Sequence, residues 1–359
     1  MNAFAELQRR NRGDGSRKLR AGAVRLCLMT VAAAACVVWG VASAAQSGGA
    51  APPTAHGQQE VSVDSLSVVK VRSRAVANAR SANSLGQQRE GTGVVIDSSG
   101  LVITIGYLII EAENVELSTA DGKVIPATVV GYDHATGLGV LKALTPLPIR
   151  PVDFGQSAVA AERELVLIVG FDGVAPAYIV SKRPFVGYWE YLLDEAIYTA
   201  PATVNWQGAA LLSRDGKLLG IGSLVVSDVM GTRADVPGNM FVPIDLLKPV
   251  LGDFIANGHS TSKPRPWIGV NSQEVQGNLI VTRVSPEGPA DDAGLTAGDV
   301  IVGIGGQPIK GQADFYTRLW KSGEAGVEVS LEVLKGNRVE NYKIKSIDRE
   351  KYFRSKPMY

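Results

Sequence analysis

Between about residues 63 and 258, apolar residues come in short runs at 66–71, 93–96, 101–105, 115–117, 124–130, 138–141, 165–169, 210–212, 218–221 and 240–242. Asp-Gly, Ser-Gly and Pro-containing turns separate them at near-regular spacing, the rhythm of antiparallel β-barrels or sandwiches. The stretch 245–256 instead places Leu246, Leu247, Val250, Leu251, Phe254 and Ile255 at helical spacing, predicting a helix that closes this domain. From Trp267 to Ile347 a second unit is predicted. It has strands around 268–270, 279–284, 300–304, 327–334 and 341–347, a short helix at 290–293 and a longer one at 313–321. Three helical stretches among many strands make the chain mainly β.

The N-terminal part reads differently. An uncharged run at 26–45 is long enough for a helix of roughly 30 Å, the thickness of a bilayer core. Arg9, Arg10, Arg12, Arg17, Lys18, Arg20 and Arg25 precede it, which holds the N-terminus in the cytoplasm and exports the rest. Ala42-Ser43-Ala44 has the form of a cleavage site, so the segment is either an uncleaved anchor or a signal. The predicted organisation is a basic region at 1–25, a transmembrane or signal helix at 26–45, a Ser/Gly/Ala/Pro linker at 46–62, the first domain at 63–258, a linker at 259–266, the second at 267–347, and a patternless charged tail at 348–359.

Charge and side-chain inventory narrow the chemistry. Lys and Arg number 36 against 35 Asp and Glu, and without the basic region 29 basic groups face 33 acidic ones. No basic field remains to hold nucleic acid. Cys27 and Cys36 both lie within 26–45, so the exported part has neither disulfide nor thiol nucleophile. His56, His134 and His259 are scattered without Cys or carboxylate partners at ligand spacing, so no metal or other cofactor is expected. His134 reads as a solvated turn residue beside Asp133. Ser181 and Lys182 are adjacent, and neighbours in a strand face opposite ways.

Several motifs, taken in order, resemble the HtrA/Deg family of exported trypsin-like serine proteases with a C-terminal PDZ domain. Residues 91–104 (GTGVVIDSSGLVIT) are similar to the run that leads into the family's catalytic histidine. Gly131-Tyr132-Asp133 with 138–142 (LGVLK) matches the run around its aspartate, and 215–221 (DGKLLGI) matches the strand after its serine. The resemblance implies a trypsin-like double β-barrel followed by a PDZ domain. It also puts Tyr107 at the position of the general base, Gly137 at the aspartate and Gln207 at the nucleophile. A phenol titrating near 10 is a poor base, glycine orients nothing and an amide does not attack. Loss of one essential triad member costs on the order of 10⁶ in kcat. The expectation on these grounds is that the three positions are inert and the chain is not an enzyme, a pseudoprotease. The rival expectation is a serine-type endopeptidase with residual or unconventional activity.

The PDZ pattern covers 267–270 (WIGV), 277–284 (GNLIVTRV) and 285–301. Such a domain adds an extended peptide to a sheet edge while loop amides receive its terminal carboxylate. The resemblance assigns peptide binding to Trp267, Ile268, Gly269 and Val270 in the loop, to Leu279, Ile280 and Val281, and to Leu319 on the longer helix. The partners it implies are protein C-termini or unfolded peptides, an active HtrA-like protease and a homotrimer; the 26–45 segment adds the inner membrane, and the charge balance leaves out nucleic acid. The expected role is adaptor, chaperone or regulator in envelope protein quality control. The expected location is the bacterial envelope, inner-membrane anchored with periplasmic domains, or periplasmic if the leader is cut.

Overall fold

The computed structural model describes residues 66–353 apart from residue 233. The basic region, the 26–45 segment and the first linker lie outside the described residues. Among the described residues no helix is long and apolar enough to cross a membrane.

Six antiparallel strands, β1 (Val68–Ala75), β2 (Gln88–Val95), β3 (Leu101–Ile105), β4 (Ala112–Ser118), β5 (Val124–Tyr132) and β6 (Leu138–Ala143), close into a barrel in the order β1-β2-β3-β6-β5-β4. In β1 the period-two pattern buries Val69, Val71 and Ser73 and turns Arg72 and Arg74 outward. β3 is buried throughout, as its run of Leu101, Val102, Ile103, Thr104 and Ile105 requires. A second barrel holds β7 (Leu165–Gly170), β8 (Gly173–Gly187), β9 (Tyr191–Ala200), β10 (Ala210–Leu212), β11 (Leu218–Val226) and β12 (Gly238–Pro243), in the order β7-β8-β9-β12-β11-β10. One buried cluster, running from Val68 and Leu138 to Tyr191 and Val242, joins the barrels.

β8 and β9 form a long hairpin, paired from Tyr178 opposite Ala200 up to Gly187 opposite Tyr191. The apolar runs did not announce it, because Pro176, Pro184 and several charged residues break the pattern. The helix expected at 245–256 is Lys248–Asn257, after a 3-10 turn at Ile244–Leu246. Phe254 is buried against β5, where Gly131 has no side chain to obstruct its ring, but Ile255 is 55% exposed and does not belong to the buried stripe.

The last sheet runs β13 (Val270–Val275), β14 (Asn278–Val284), β15 (Val300–Ile304), β17 (Glu328–Lys335) and β18 (Arg338–Lys345), with β16 (Gln307–Pro308) on β15. The helix Gln312–Lys321 buries Phe315, Tyr316 and Leu319 against it. The tail departs from expectation. Arg349–Tyr352 is a helical turn capped by Asp348, and the Tyr352 ring packs 4.6 Å from Trp267 and beneath the Arg80 guanidinium.

Candidate functional site

The three positions singled out from the sequence lie where the two barrels meet. Tyr107 lies in a 3-10 turn that follows β3 directly. Its hydroxyl crosses to the second barrel and donates to Ser223 O at 3.0 Å. Burial pushes the phenol well above its ordinary value, so it is a neutral donor there and not a base. Gly137 sits at φ +77°, and its carbonyl accepts from the Gly106 amide at 2.7 Å. A Cβ at Gly137 would lie 3.3 Å from the Tyr191 hydroxyl. That hydroxyl crosses the other way, from β9 to Thr136 O in the first barrel, at 2.5 Å. Two tyrosines therefore stitch the cleft from opposite sides. Tyr191 was not anticipated, since the strand that carries it was not.

Gln207 precedes a turn pinned to both barrels. Its carbonyl accepts from the Thr92 amide at 2.8 Å, and the next residue, Gly208, donates to Gly222 O at 2.9 Å. Gly208 has φ +73°, and a Cβ there would meet Thr92 O at 2.1 Å. Only glycine fits both the left-handed backbone and the approach of the first barrel.

Other candidate chemistry is dispersed. Ser181 donates to Val229 O at 2.6 Å, while the Lys182 ammonium turns to Ala158 O at 2.9 Å and Glu195 at 3.1 Å, so they form no dyad. His134 is not the solvated residue expected. It packs edge-on to Tyr132 at 4.4 Å and stacks on Phe353 at 5.5 Å, and burial holds its imidazole well below the usual range, hence neutral. It borders a cleft of about 740 Å³ shared with Glu190, Arg265 and Arg349. Among the described residues no group of His, Cys, Asp or Glu is arranged to hold a metal ion.

The residues assigned to peptide binding divide into two sets. The Ile268, Gly269 and Val270 amides converge on one point, Gly269 being left-handed at φ +84°. The Glu190 carboxylate occupies that point, accepting from Ile268 at 3.2 Å, Gly269 at 2.7 Å and Val270 at 2.8 Å. Trp267 instead pairs its backbone with Ile347 and stacks on the tail helix, while Leu279, Val281 and Leu319 are buried in the core and Ile280 is half-buried on the strand between them.

Comparison with known proteins fits this arrangement. A trypsin-like peptidase domain matches residues 91–221 and a PDZ domain matches residues 266–346. That pair defines the class: a trypsin-fold peptidase domain joined to a PDZ domain. The putative serine protease HhoA of Synechocystis is 27% identical over 69% of this chain and 68% of its own length. The serine endoprotease DegS of Escherichia coli K12 is 28% identical over 67% of this chain and 72% of its own, and a probable periplasmic DegP-like endoprotease of Pseudomonas putida is 29% identical over 71% and 56%. Among solved structures, an HtrA-type protease, AlgWS227A with a tripeptide, aligns over 82% of this chain and 95% of its own at 21% identity, with a TM-score of 0.49. The chain carries a trypsin-like peptidase domain and a PDZ domain, and is similar over about two thirds of its length to these proteases. These findings overturn the expectation that the chain is not an enzyme: the barrel pair matches a peptidase domain, and the relatives are named proteases and endoproteases.

Proposed function

We propose that this chain is an HtrA-type endopeptidase of the bacterial envelope, with residual or unconventional activity, that captures C-terminal or extended peptides through its PDZ domain in protein quality control. The observation that carries the reading is the joining, in one chain, of a peptidase-domain barrel pair to a loop whose three amides already grip a carboxylate. Relatives with both domains are named serine proteases, some of them periplasmic.

Tyr107, Gly137 and Gln207 supply neither imidazole, carboxylate nor serine, so hydrolysis here works through other groups and slowly. Donors and binding alone sustain roughly 10³ to 10⁴ over the uncatalysed rate in serine proteases stripped of their triad. Peptide capture of this kind also suits an adaptor or chaperone role beside an active HtrA-like protease.

The test incubates the full chain with casein and with a quenched decapeptide, before and after a fluorophosphonate probe, and maps any adduct by mass spectrometry. Heat-sensitive cleavage with a single labelled serine supports the reading and names the nucleophile. Neither cleavage nor label, in protein whose PDZ domain binds peptide, overturns the endopeptidase reading. Light scattering of the same sample measures the trimer that the resemblance implies.

A further inference from the structure

The peptide groove of this PDZ domain is already filled by a segment of the same chain. The tip of the β8–β9 hairpin, Gly187 to Glu190, lies along it. Glu190 puts its carboxylate on the loop amides as a peptide terminus would, and its own amide donates to the Tyr316 hydroxyl at 3.2 Å. One step back, Ser272 on β13 donates to Tyr188 O at 2.8 Å, the main-chain bond that an added strand would make. Gly187 O then accepts from Tyr316 at 2.9 Å and from the Gln312 amide at 3.2 Å, both on the helix across the groove. Val186 and Leu192 pack on the PDZ core. Glu190 is 4% exposed and has φ +53°, a backbone conformation that a non-glycine residue keeps only where its surroundings hold it.

A buried carboxylate far from water is costly unless donors meet it. Here three convergent amides do, and they are the amides a free C-terminus needs. We propose that the hairpin is a built-in ligand of the PDZ domain, so that a peptide with a free α-carboxylate binds only by expelling Glu190 and thereby frees the hairpin next to Tyr191 and the inter-barrel cleft. The proposal rests on the peptide-capture reading and adds that capture is competitive with the chain's own side chain.

Hydrogen exchange and peptide titration on the full chain test it. In the parent, the Ile268, Gly269 and Val270 amides are protected. In Glu190→Ala they exchange at least about tenfold faster, while amides of β17 keep their protection and report an intact domain. A fluorescein-labelled decapeptide ending in Val with a free carboxylate binds Glu190→Ala at least about tenfold more tightly than the parent, since the competent fraction rises. The C-terminally amidated peptide gains nothing. Unchanged exchange at 268–270 in Glu190→Ala overturns the proposal. Accelerated exchange without peptide binding to either protein supports the built-in ligand and refutes peptide capture, so the two readings fail separately.

Discussion

Removing the two tyrosine hydroxyls that cross the inter-barrel cleft tests whether they hold the barrels together there. Tyr107→Phe deletes the donor to Ser223 O, and Tyr191→Phe deletes the donor to Thr136 O, without changing ring volume. A net hydrogen bond contributes about 1 kcal/mol, and a carbonyl left unpaired in a buried site costs about 1 to 3 kcal/mol. Tyr191 is 4% exposed, so little water reaches Thr136 O, and its loss belongs in the upper part of that range. Tyr107 is more open, and its loss belongs near about 1 kcal/mol. The two sites are not independent: Gly106 beside Tyr107 donates to Gly137 beside Thr136. The double variant should therefore depart from additivity by about 0.5 kcal/mol or more, as neighbours in one network do. Urea unfolding followed by circular dichroism gives these differences as shifts in midpoint at constant slope. Tyr178→Phe, at a ring 52% exposed in the same fold, is the control and should match the parent. If both cleft variants also matched the parent, the hydroxyls would contribute nothing and the closed cleft would need another cause.

Three more outcomes follow from the geometry. Tyr107→His with Gln207→Ser installs base and nucleophile without the acid. Since a serine-protease triad is worth about 2 × 10⁶ and its aspartate alone about 3 × 10⁴, the pair should raise kcat on a quenched peptide by about 10², and no gain would mean that the cleft lacks oxyanion donors. Gly208→Ala and Gly216→Ala share nearly the same φ, +73° and +72°, but only the first puts a Cβ within 2.1 Å of another residue's carbonyl oxygen. The second should cost about 1 kcal/mol, the ordinary left-handed penalty, and the first well over that or fail to fold, as read by urea midpoints. Burial pushes the Glu190 carboxyl from 4.5 up to about 7, opposed by its loop amides and by Arg349, with the neutral Tyr316 hydroxyl alongside. A carboxyl whose value is raised on docking favours the docked state below the undocked value of 4.5, and that advantage is lost as pH rises to about 7. A carboxylate-terminated peptide should therefore bind more tightly at pH 7.5 than at pH 5, by up to about a hundredfold, and Glu190→Gln should flatten the profile.

What the sequence made legible was set by how local the signal is. β3 is a continuous apolar run flanked by turns, and β14 opens on the apolar run Leu279 to Val281 between Gly277-Asn278 and Ser285-Pro286, so each could be read from its own residues. The motifs around 91–104, 138–142 and 215–221 combine apolar strands with fixed glycines, which is why the barrel pair could be read from them. The β8–β9 hairpin carries no such signal. It is long, twisted by two register shifts, and covered at its tip only by distant parts of the chain, so Pro184, Arg183 and Glu190 suit positions that local pattern reads as loop. The same gap concealed the partners of the site. Tyr107 and Gly137 were identifiable as positions, yet what they do depends on Ser223 and Tyr191, which lie 116 residues and over 50 residues away along the chain. Position 190 illustrates the point most sharply: a lone glutamate among aromatic neighbours carries no local motif, and nothing near it in sequence announces the three amides some 80 residues later that bury it. The PDZ loop could be predicted to bind a carboxylate because its WIGV pattern is local. Which carboxylate it holds in this structure is a tertiary fact, set by the hairpin that runs into Tyr191.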